Sequence, residues 1–168
     1  MCVFLFVSIV YLFGNDDVKE RYIARYAPVA IAEMHRTGIP ASIKLAQALV
    51  ESNAGSSTLS LNSNNHFGIK CKNYWLGKTY YHIDDDRDEN GNLKKSCFRV
   101  YDYPVDSYVD HSNFILNSVH YSRLVSDADK DYILWAQGLQ AMGYATDPMY
   151  GQKLIRIIQK FQLHQYDE

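Results

Sequence analysis

Glu51 is the residue of this sequence best placed to act as a general acid. It lies near the end of the apolar segment ASIKLAQALVES, and the small and polar residues 53–57 follow. A carboxyl group at the edge of a hydrophobic helix is partly desolvated, which raises its pKa and keeps it protonated near neutral pH. Such a group can protonate a leaving oxygen. A solvated glutamate at a helix end has the same local sequence, so the assignment depends on the rest of the chain.

The acidic segment DDRDENGNLKKS matches part of a calcium-binding loop. The first, third, fifth and sixth positions of such a loop would be Asp86, Asp88, Asn90 and Gly91. The twelfth position is Cys97 in place of the bidentate glutamate, and two lysines oppose a cation. Asn-Gly is also the favoured two-residue hairpin turn. We therefore expect a hairpin here and neither a metal nor a cofactor, since the six histidines form no helical i,i+4 ligand pair.

Two helices must position Glu51. The segment DDVKERYIARYAPVAIAEMHRTG has helical spacing of its apolar residues, with Pro28 predicting a kink or a split and Gly38 an end. Pro40 is predicted in the first turn of the next helix, where its missing N–H costs nothing. That helix carries Glu51 and is apolar on more than one face, which predicts a buried, central position.

The middle of the chain predicts a small antiparallel lobe. Residues 52–65 predict a loop with a short helical turn around residues 58–61. The runs HFGIK, KTYYHI and KKSCFRVY alternate as strands, and Asn90-Gly91 joins the last two. Helical spacing returns in VDSYVDHSNFILNS, DKDYILWAQGLQAMG and PMYGQKLIRIIQKFQLH, the last with Pro148 at its start. We expect a helical body, a hairpin lobe and a ligand cleft between them.

Composition limits the domain count and the partners. A chain of 168 residues is sufficient for one domain with a full core. Its net charge of -2 gives no broad basic field, so we expect no nucleic-acid partner. We expect a monomer.

The first 15 residues differ from the rest. The apolar run from Cys2 to Phe13 is shorter than the roughly 20 residues of a membrane-spanning helix. No Lys or Arg precedes it, as expected if the given start lies inside a longer export signal. We predict a signal or membrane-anchor-like segment over 1–15, with membrane association through it, and a catalytic domain over 16–168. Cys71 and Cys97 remain either a disulfide or two buried thiols.

Blocks of sequence in a fixed order carry a family resemblance. AQALVESNAGSS, SNNHFGIK, CFRVYD with SYVDHSNFI, and GYATDPMYGQKLIRII resemble the glucosaminidase family of peptidoglycan hydrolases, glycoside hydrolase family 73. The resemblance covers roughly residues 20–166. It implies a lysozyme-like α+β fold and endo-cleavage of the β-1,4 bond after N-acetylglucosamine in peptidoglycan glycan strands. It also implies Glu51 as general acid. The short apolar run at the start of the chain, followed by a charged segment, predicts an exported protein of the periplasm or cell envelope.

The resemblance further implies a second carboxylate and several substrate contacts. Glycosidases use a second carboxyl group across the sugar, and the family places it in the lobe. Asp85 is our first choice and Asp86 our second, with Asp84 also open. The predicted substrate contacts, several of which core packing would explain as well, are Asn65, Phe67, Gly68, Trp75 and Tyr144.

Other enzyme classes also place Glu-Ser at the end of an apolar helix. In muramidases and lytic transglycosylases a GLMQ-like stretch is expected next, and NNHFGIK stands here instead. A non-catalytic peptidoglycan-binding module is the alternative outside the enzymes. The intact Glu51 favours an enzyme.

Overall fold

The computed structural model describes residues 4–168, except for the side chains of residues 4–15 and of Asp85. Its elements are α1 (Phe4–Thr37), α2 (Ala41–Ser52), α3 (Thr58–Ser63), β1 (Thr79–Arg87), β2 (Leu93–Arg99), α4 (Pro104–Asn117), α5 (Arg123–Asp127), α6 (Tyr132–Ala141), α7 (Tyr150–Lys160) and a 3₁₀ turn, Leu163–Tyr166. Among the described residues, none of these helices is both long and apolar enough to cross a membrane. The signal or anchor predicted over 1–15 falls on residues whose side chains lie outside the description.

Helix α1 continues through Pro28, so the predicted split does not occur. Tyr26 lies before the proline, and Ala30 and Met34 lie after it, yet all three are buried in the same core. The helix packs against α2 and α4. Burial on both sides of the proline offsets the hydrogen bond that proline cannot donate.

Helix α2 is the predicted central helix. Its residues from Ala41 to Leu49 are all buried, and it packs against α1, α6, α7 and the 3₁₀ turn. Pro40 is the N-cap, one position before the helix instead of in its first turn. Lys44 and Gln47 are buried on this helix as completely as its apolar residues.

The lobe is a hairpin of β1 and β2 with a longer turn than predicted. Pairing runs from Thr79↔Arg99 to Ile83↔Lys95, becomes irregular, and ends at Arg87↔Leu93. Residues 88–92 form the connection, in place of a two-residue turn. Oδ1 of Asp88 accepts hydrogen bonds from the amides of residues 90 and 92, at 2.9 Å each. The aspartate thus closes a wider loop by itself.

The predicted strand HFGIK is reduced to a single bridge between Lys70 and Phe98. Gly68 has a φ of +62°, which interrupts an extended conformation. Next to this bridge, a disulfide joins Cys71 to Cys97, which settles the alternative left open by the sequence. For a sequence separation of 26 residues, chain entropy predicts about 3–4 kcal/mol of stabilisation.

The C-terminal helices α6 and α7 are in close contact. A Cβ at Gly151 would lie 2.6 Å from the carbonyl oxygen of Ala136, so only glycine fits this crossing. The sequence predicted that α7 starts at Pro148, and the helix begins two residues later, at Tyr150. The short helix α5 was not predicted; it precedes α6 and buries Leu124.

Candidate active site

A cleft of about 440 Å³ lies between the helical body and the hairpin lobe, as predicted. The body contributes Glu51, Leu59, His111, Phe114 and residues 144–146. The lobe and the segment that leads into it contribute residues 67–70, Lys72, Tyr74, His82, Asp84, Phe98 and Arg99. The cleft therefore has carboxyl groups on both sides.

Glu51 reaches the cleft because α2 ends immediately after it. The hydroxyl of Ser52 donates to the carbonyl of Ala48 at 2.6 Å and accepts from the amide of Gly55 at 2.8 Å. Asn53, Ala54 and Gly55 all have left-handed backbone conformations, with φ of 50°, 53° and 75°. This sharp reversal turns the chain away from the helix axis and leaves the Glu51 carboxyl at the cleft.

The surroundings of Glu51 favour its protonated form. Burial raises the pKa of Glu51, while a hydrogen bond from Tyr150 and the charge of Lys153 oppose that rise. The hydroxyl of Tyr150 donates to Oε1 at 2.8 Å. Nε2 of Gln47, one helical turn before Glu51, donates to the Tyr150 oxygen at 3.2 Å. Glu51 is thus a positioned carboxyl group whose pKa is raised, the direction that a general acid requires.

Tyr144 is placed beside Glu51 by the end of α6. The amide of Tyr144 donates to the carbonyl of Leu139, and that of Gly143 donates to Gln140, both at 3.0 Å. With φ of +70° at Gly143, this is a Schellman motif. The Tyr144 ring stacks on Tyr150, with ring centroids 5.4 Å apart. The motif therefore carries the aromatic side chain back from the helix end into the cleft.

The lobe presents Asp84 to the cleft. Nζ of Lys70 lies 2.7 Å from an Asp84 oxygen and 2.6 Å from an Asp86 oxygen. Ser96 also donates to Asp86 at 2.6 Å, and the hydrogen bond from Lys70 is the main cause that lowers the pKa of Asp86. Asp86 is absent from the described lining, and the side chain of Asp85 lies outside the description. Of the two aspartates whose side chains are described, Asp84, ranked last from sequence, lines the cleft.

The other predicted contacts divide into two groups. Phe67, Gly68 and Tyr144 line the cleft. Asn65 is buried behind it, and its amide binds four backbone groups: the N–H and the C=O of Ile69, the N–H of Phe67 and the C=O of Arg99. Its amide is fully used in shaping the NNHFG turn. Trp75 packs on Arg99 and Tyr101, and the neighbouring Tyr74 lines the cleft.

Sequence reasoning missed Lys44, His111 and Tyr150. Nζ of Lys44 lies 2.8 Å from Nδ1 of His111, whose Nε2 lies 2.7 Å from the hydroxyl of Tyr144. A lysine within a helix that is apolar on more than one face signals a buried, partnered charge. His111 and Tyr150 carry no comparable local signal.

Comparisons with known proteins agree with this geometry. The sequence model of the glucosaminidase family, described as mannosyl-glycoprotein endo-beta-N-acetylglucosaminidase, matches residues 27–163. Exo-glucosaminidase LytG of Bacillus subtilis is 36% identical over 135 residues, covering 76% of this chain and 46% of LytG. Peptidoglycan hydrolase FlgJ of Escherichia coli K12 is 31% identical over 148 residues, covering 84% of this chain and 46% of FlgJ. The chain thus spans about half the length of these curated relatives.

Solved structures share the fold over nearly the whole chain. The catalytic domain of the autolysin Auto from Listeria monocytogenes has a TM-score of 0.79 at 27% identity, covering 89% of this chain and 88% of that one. The glycoside hydrolase domain of FlgJ from Salmonella typhimurium has a TM-score of 0.69 at 28% identity, covering 88% and 90%. These likenesses confirm the predicted lysozyme-like α+β fold. The chain belongs to the glucosaminidase family.

Proposed function

We propose that this chain hydrolyses the β-1,4 bond after N-acetylglucosamine in peptidoglycan glycan strands, with Glu51 as the general acid. The observation that carries the proposal is the placement of Glu51, half-buried at the cleft and held by Tyr150, opposite a carboxylate of the lobe. Family membership and the peptidoglycan hydrolases among the relatives support the substrate class.

In this proposal Glu51 protonates the glycosidic oxygen, and Asp84 acts from the other side of the sugar. Asp84 is held by Lys70, whose ion pair favours the charged carboxylate. Burial of Glu51 and the ion pair of Asp84 thus favour opposite protonation states, as acid and base or nucleophile require. Asp85 and Asp86 remain the alternative second carboxylates.

The test is digestion of purified peptidoglycan, with mass spectrometry of the new chain ends. Reducing N-acetylglucosamine ends support the proposal. Reducing N-acetylmuramic acid ends would assign a muramidase, anhydro ends would assign a lytic transglycosylase, and no release at all would indicate a binding module. The size distribution of early products separates endo-cleavage from the exo-cleavage named for LytG.

Glu51→Gln tests the assigned acid, because glutamine keeps the shape and cannot supply the proton. We expect the rate to fall by at least about 10²-fold, the lower end of what a general acid contributes. Glu20→Gln, at an exposed position of α1, is the matched control and should retain full activity. Unchanged activity in Glu51→Gln would place the acid elsewhere.

We also propose that the protein works outside the cytoplasm, in the periplasm or cell envelope. The Cys71–Cys97 disulfide supports this location, since such bonds persist in oxidising compartments. Labelling of free thiols in protein taken from intact cells tests it. Labelling of both cysteines in the native protein would contradict the proposal.

A further inference from the structure

We infer that Lys44 is a positioning residue that acts through His111 and makes the Tyr144 hydroxyl a hydrogen-bond donor toward the substrate. The expected effect on the cleavage rate rests on the proposed function, whereas the tautomer of His111 can be observed without any substrate. It also gives Tyr144 a proton for an acceptor on the ligand, such as the carbonyl oxygen of an N-acetyl group.

Lys44 is fully buried on α2, and its ammonium nitrogen has defined partners. Nζ lies 2.7 Å from Oγ of Ser112 and 2.8 Å from Nδ1 of His111. It also lies 5.4 Å from the ring centroid of Phe67, at a cation–π distance. The carboxylate of Glu33 attracts this charge, and Arg36, which binds Glu33, opposes it. Burial lowers the pKa of Lys44 to about 7, so the ammonium form predominates below neutrality.

The protons available on Lys44 and Ser112 determine which group donates in the hydrogen bonds of Lys44. An ammonium group has three N–H donors and no acceptor. The Ser112 hydroxyl donates its one proton to the carbonyl of Tyr108 at 3.1 Å, so its oxygen accepts from Lys44. Nδ1 of His111 must likewise accept. A neutral amine could also accept a hydrogen bond, so this direction holds for the ammonium form of Lys44.

The state of His111 then follows. Burial, and to a lesser extent the charge of Lys44, hold the pKa of His111 well below its usual range, so the ring is neutral. A neutral imidazole that accepts at Nδ1 carries its proton on Nε2. The ring is held in this orientation by stacking on Phe67, at a centroid distance of 4.1 Å and an angle of 8°.

The protonated Nε2 of His111 determines how the Tyr144 hydroxyl can bond. Nε2 of His111 donates to the Tyr144 oxygen at 2.7 Å, which leaves the phenolic proton free to point elsewhere. Tyr144 lines the cleft beside Glu51, so that proton is available to a ligand there. With the opposite histidine tautomer, Tyr144 would spend its proton on His111 and offer only an acceptor. Lys44 thus decides which kind of substrate atom Tyr144 can bind.

The first test reads the tautomer directly and needs no substrate. Two-bond ¹H–¹⁵N correlation spectra of the ¹⁵N-labelled protein separate a protonated ring nitrogen from an unprotonated one. We expect Nε2 of His111 to be protonated and Nδ1 unprotonated below pH 7. A protonated Nδ1 in the wild-type protein would overturn the inference, whatever the protein hydrolyses.

The second test is kinetic and uses Lys44→Met, Tyr144→Phe and the double variant. Each single change should lower the rate of reducing-end release by about tenfold, as expected for one lost hydrogen bond to substrate. The double variant should be no slower than Tyr144→Phe alone, since Lys44 acts only through Tyr144. The inference would be contradicted if the rate losses of the two single variants multiplied in the double variant. It would also be contradicted if Tyr144→Phe kept the wild-type rate.

A lower rate in Lys44→Met must be distinguished from a loss of folding. Methionine has a volume similar to lysine and avoids the cost of burying an ammonium group, and Glu33 keeps its ion pair with Arg36, so Lys44→Met should fold. Lys78→Met, which removes a surface ion pair with Asp102, is the matched control and should keep the wild-type rate. Lys44→Met should also change the His111 spectrum, whereas Lys78→Met should not. An unchanged His111 tautomer in Lys44→Met would overturn the inference.

Discussion

The phenolic oxygen of Tyr150 lies 2.8 Å from Oε1 of Glu51 and donates a hydrogen bond to it, across a sequence separation of 99 residues. Glu51 lies in the last turn of α2 and Tyr150 in the first turn of α7. The close crossing of α7 over α6 at Gly151 fixes where Tyr150 begins its helix. The chemistry of the proposed acid therefore depends on packing between helices that are distant in sequence.

Tyr150→Phe should move the alkaline limb of the pH–rate profile to higher pH. A general acid is active while protonated, so the rate falls as pH rises through the pKa of Glu51. The hydrogen bond from Tyr150 favours the carboxylate, and its loss raises the pKa of Glu51 further. Gln47 also loses its acceptor, which should cost about 1 kcal/mol of unfolding free energy. A limb displaced to lower pH would contradict this account.

Asp84→Asn should lower the rate of glycan cleavage by about 10²-fold or more, if Asp84 is the second carboxylate. Asparagine keeps the size of the side chain and removes the charge that pairs with Lys70. Asp86→Asn is the matched comparison, since Asp86 binds the same lysine and is absent from the described cleft lining. A larger loss in Asp86→Asn than in Asp84→Asn would transfer the role to Asp86.

Gly143→Ala should lower both stability and activity. The left-handed conformation at position 143 costs a residue with a Cβ about 1 kcal/mol, although open space surrounds the added atom. Relief of that strain would displace Tyr144, which follows directly. Chemical denaturation and the initial rate check the two effects. Gly91→Ala, also at positive φ with open space and absent from the described cleft lining, separates a general cost in stability from a displacement of Tyr144.

Ala54→Gly should raise the free energy of unfolding by roughly 0.5–1 kcal/mol. Ala54 has a φ of 53° in the reversal after Glu51, a conformation that glycine adopts without strain. Activity should stay close to that of the wild type, because the backbone path is unchanged. Denaturant titration measures the gain in the free energy of unfolding, provided that its dependence on denaturant concentration is unchanged. A loss of stability would show that packing of the Ala54 methyl group outweighs the backbone strain.

The sequence was sufficient for the helical body and for the position of Glu51 at the end of a buried helix, because apolar spacing and the proline and glycine positions reflect local geometry. It was insufficient for the lobe turn, where Asp88 closes a wider loop than the Asn-Gly pair predicts. It also could not indicate that Asp84 lines the cleft, because the place of that side chain depends on strand register and on Lys70. Similarly, no local pattern indicates that His111 meets Lys44.

The two sides of the cleft differ in burial, since α2 is almost fully buried and the hairpin is partly exposed. Glu51 extends from a helix whose first nine residues are all buried, so its amide hydrogens should exchange with solvent only on global unfolding. The hairpin is exposed over its turn and over the first residues of β2, and Cys71–Cys97 ties it near its base to the segment that leads into it. Its outer half should open locally at a lower free energy. On heating, the side that carries Asp84 should therefore be lost first, while Glu51 is still in place.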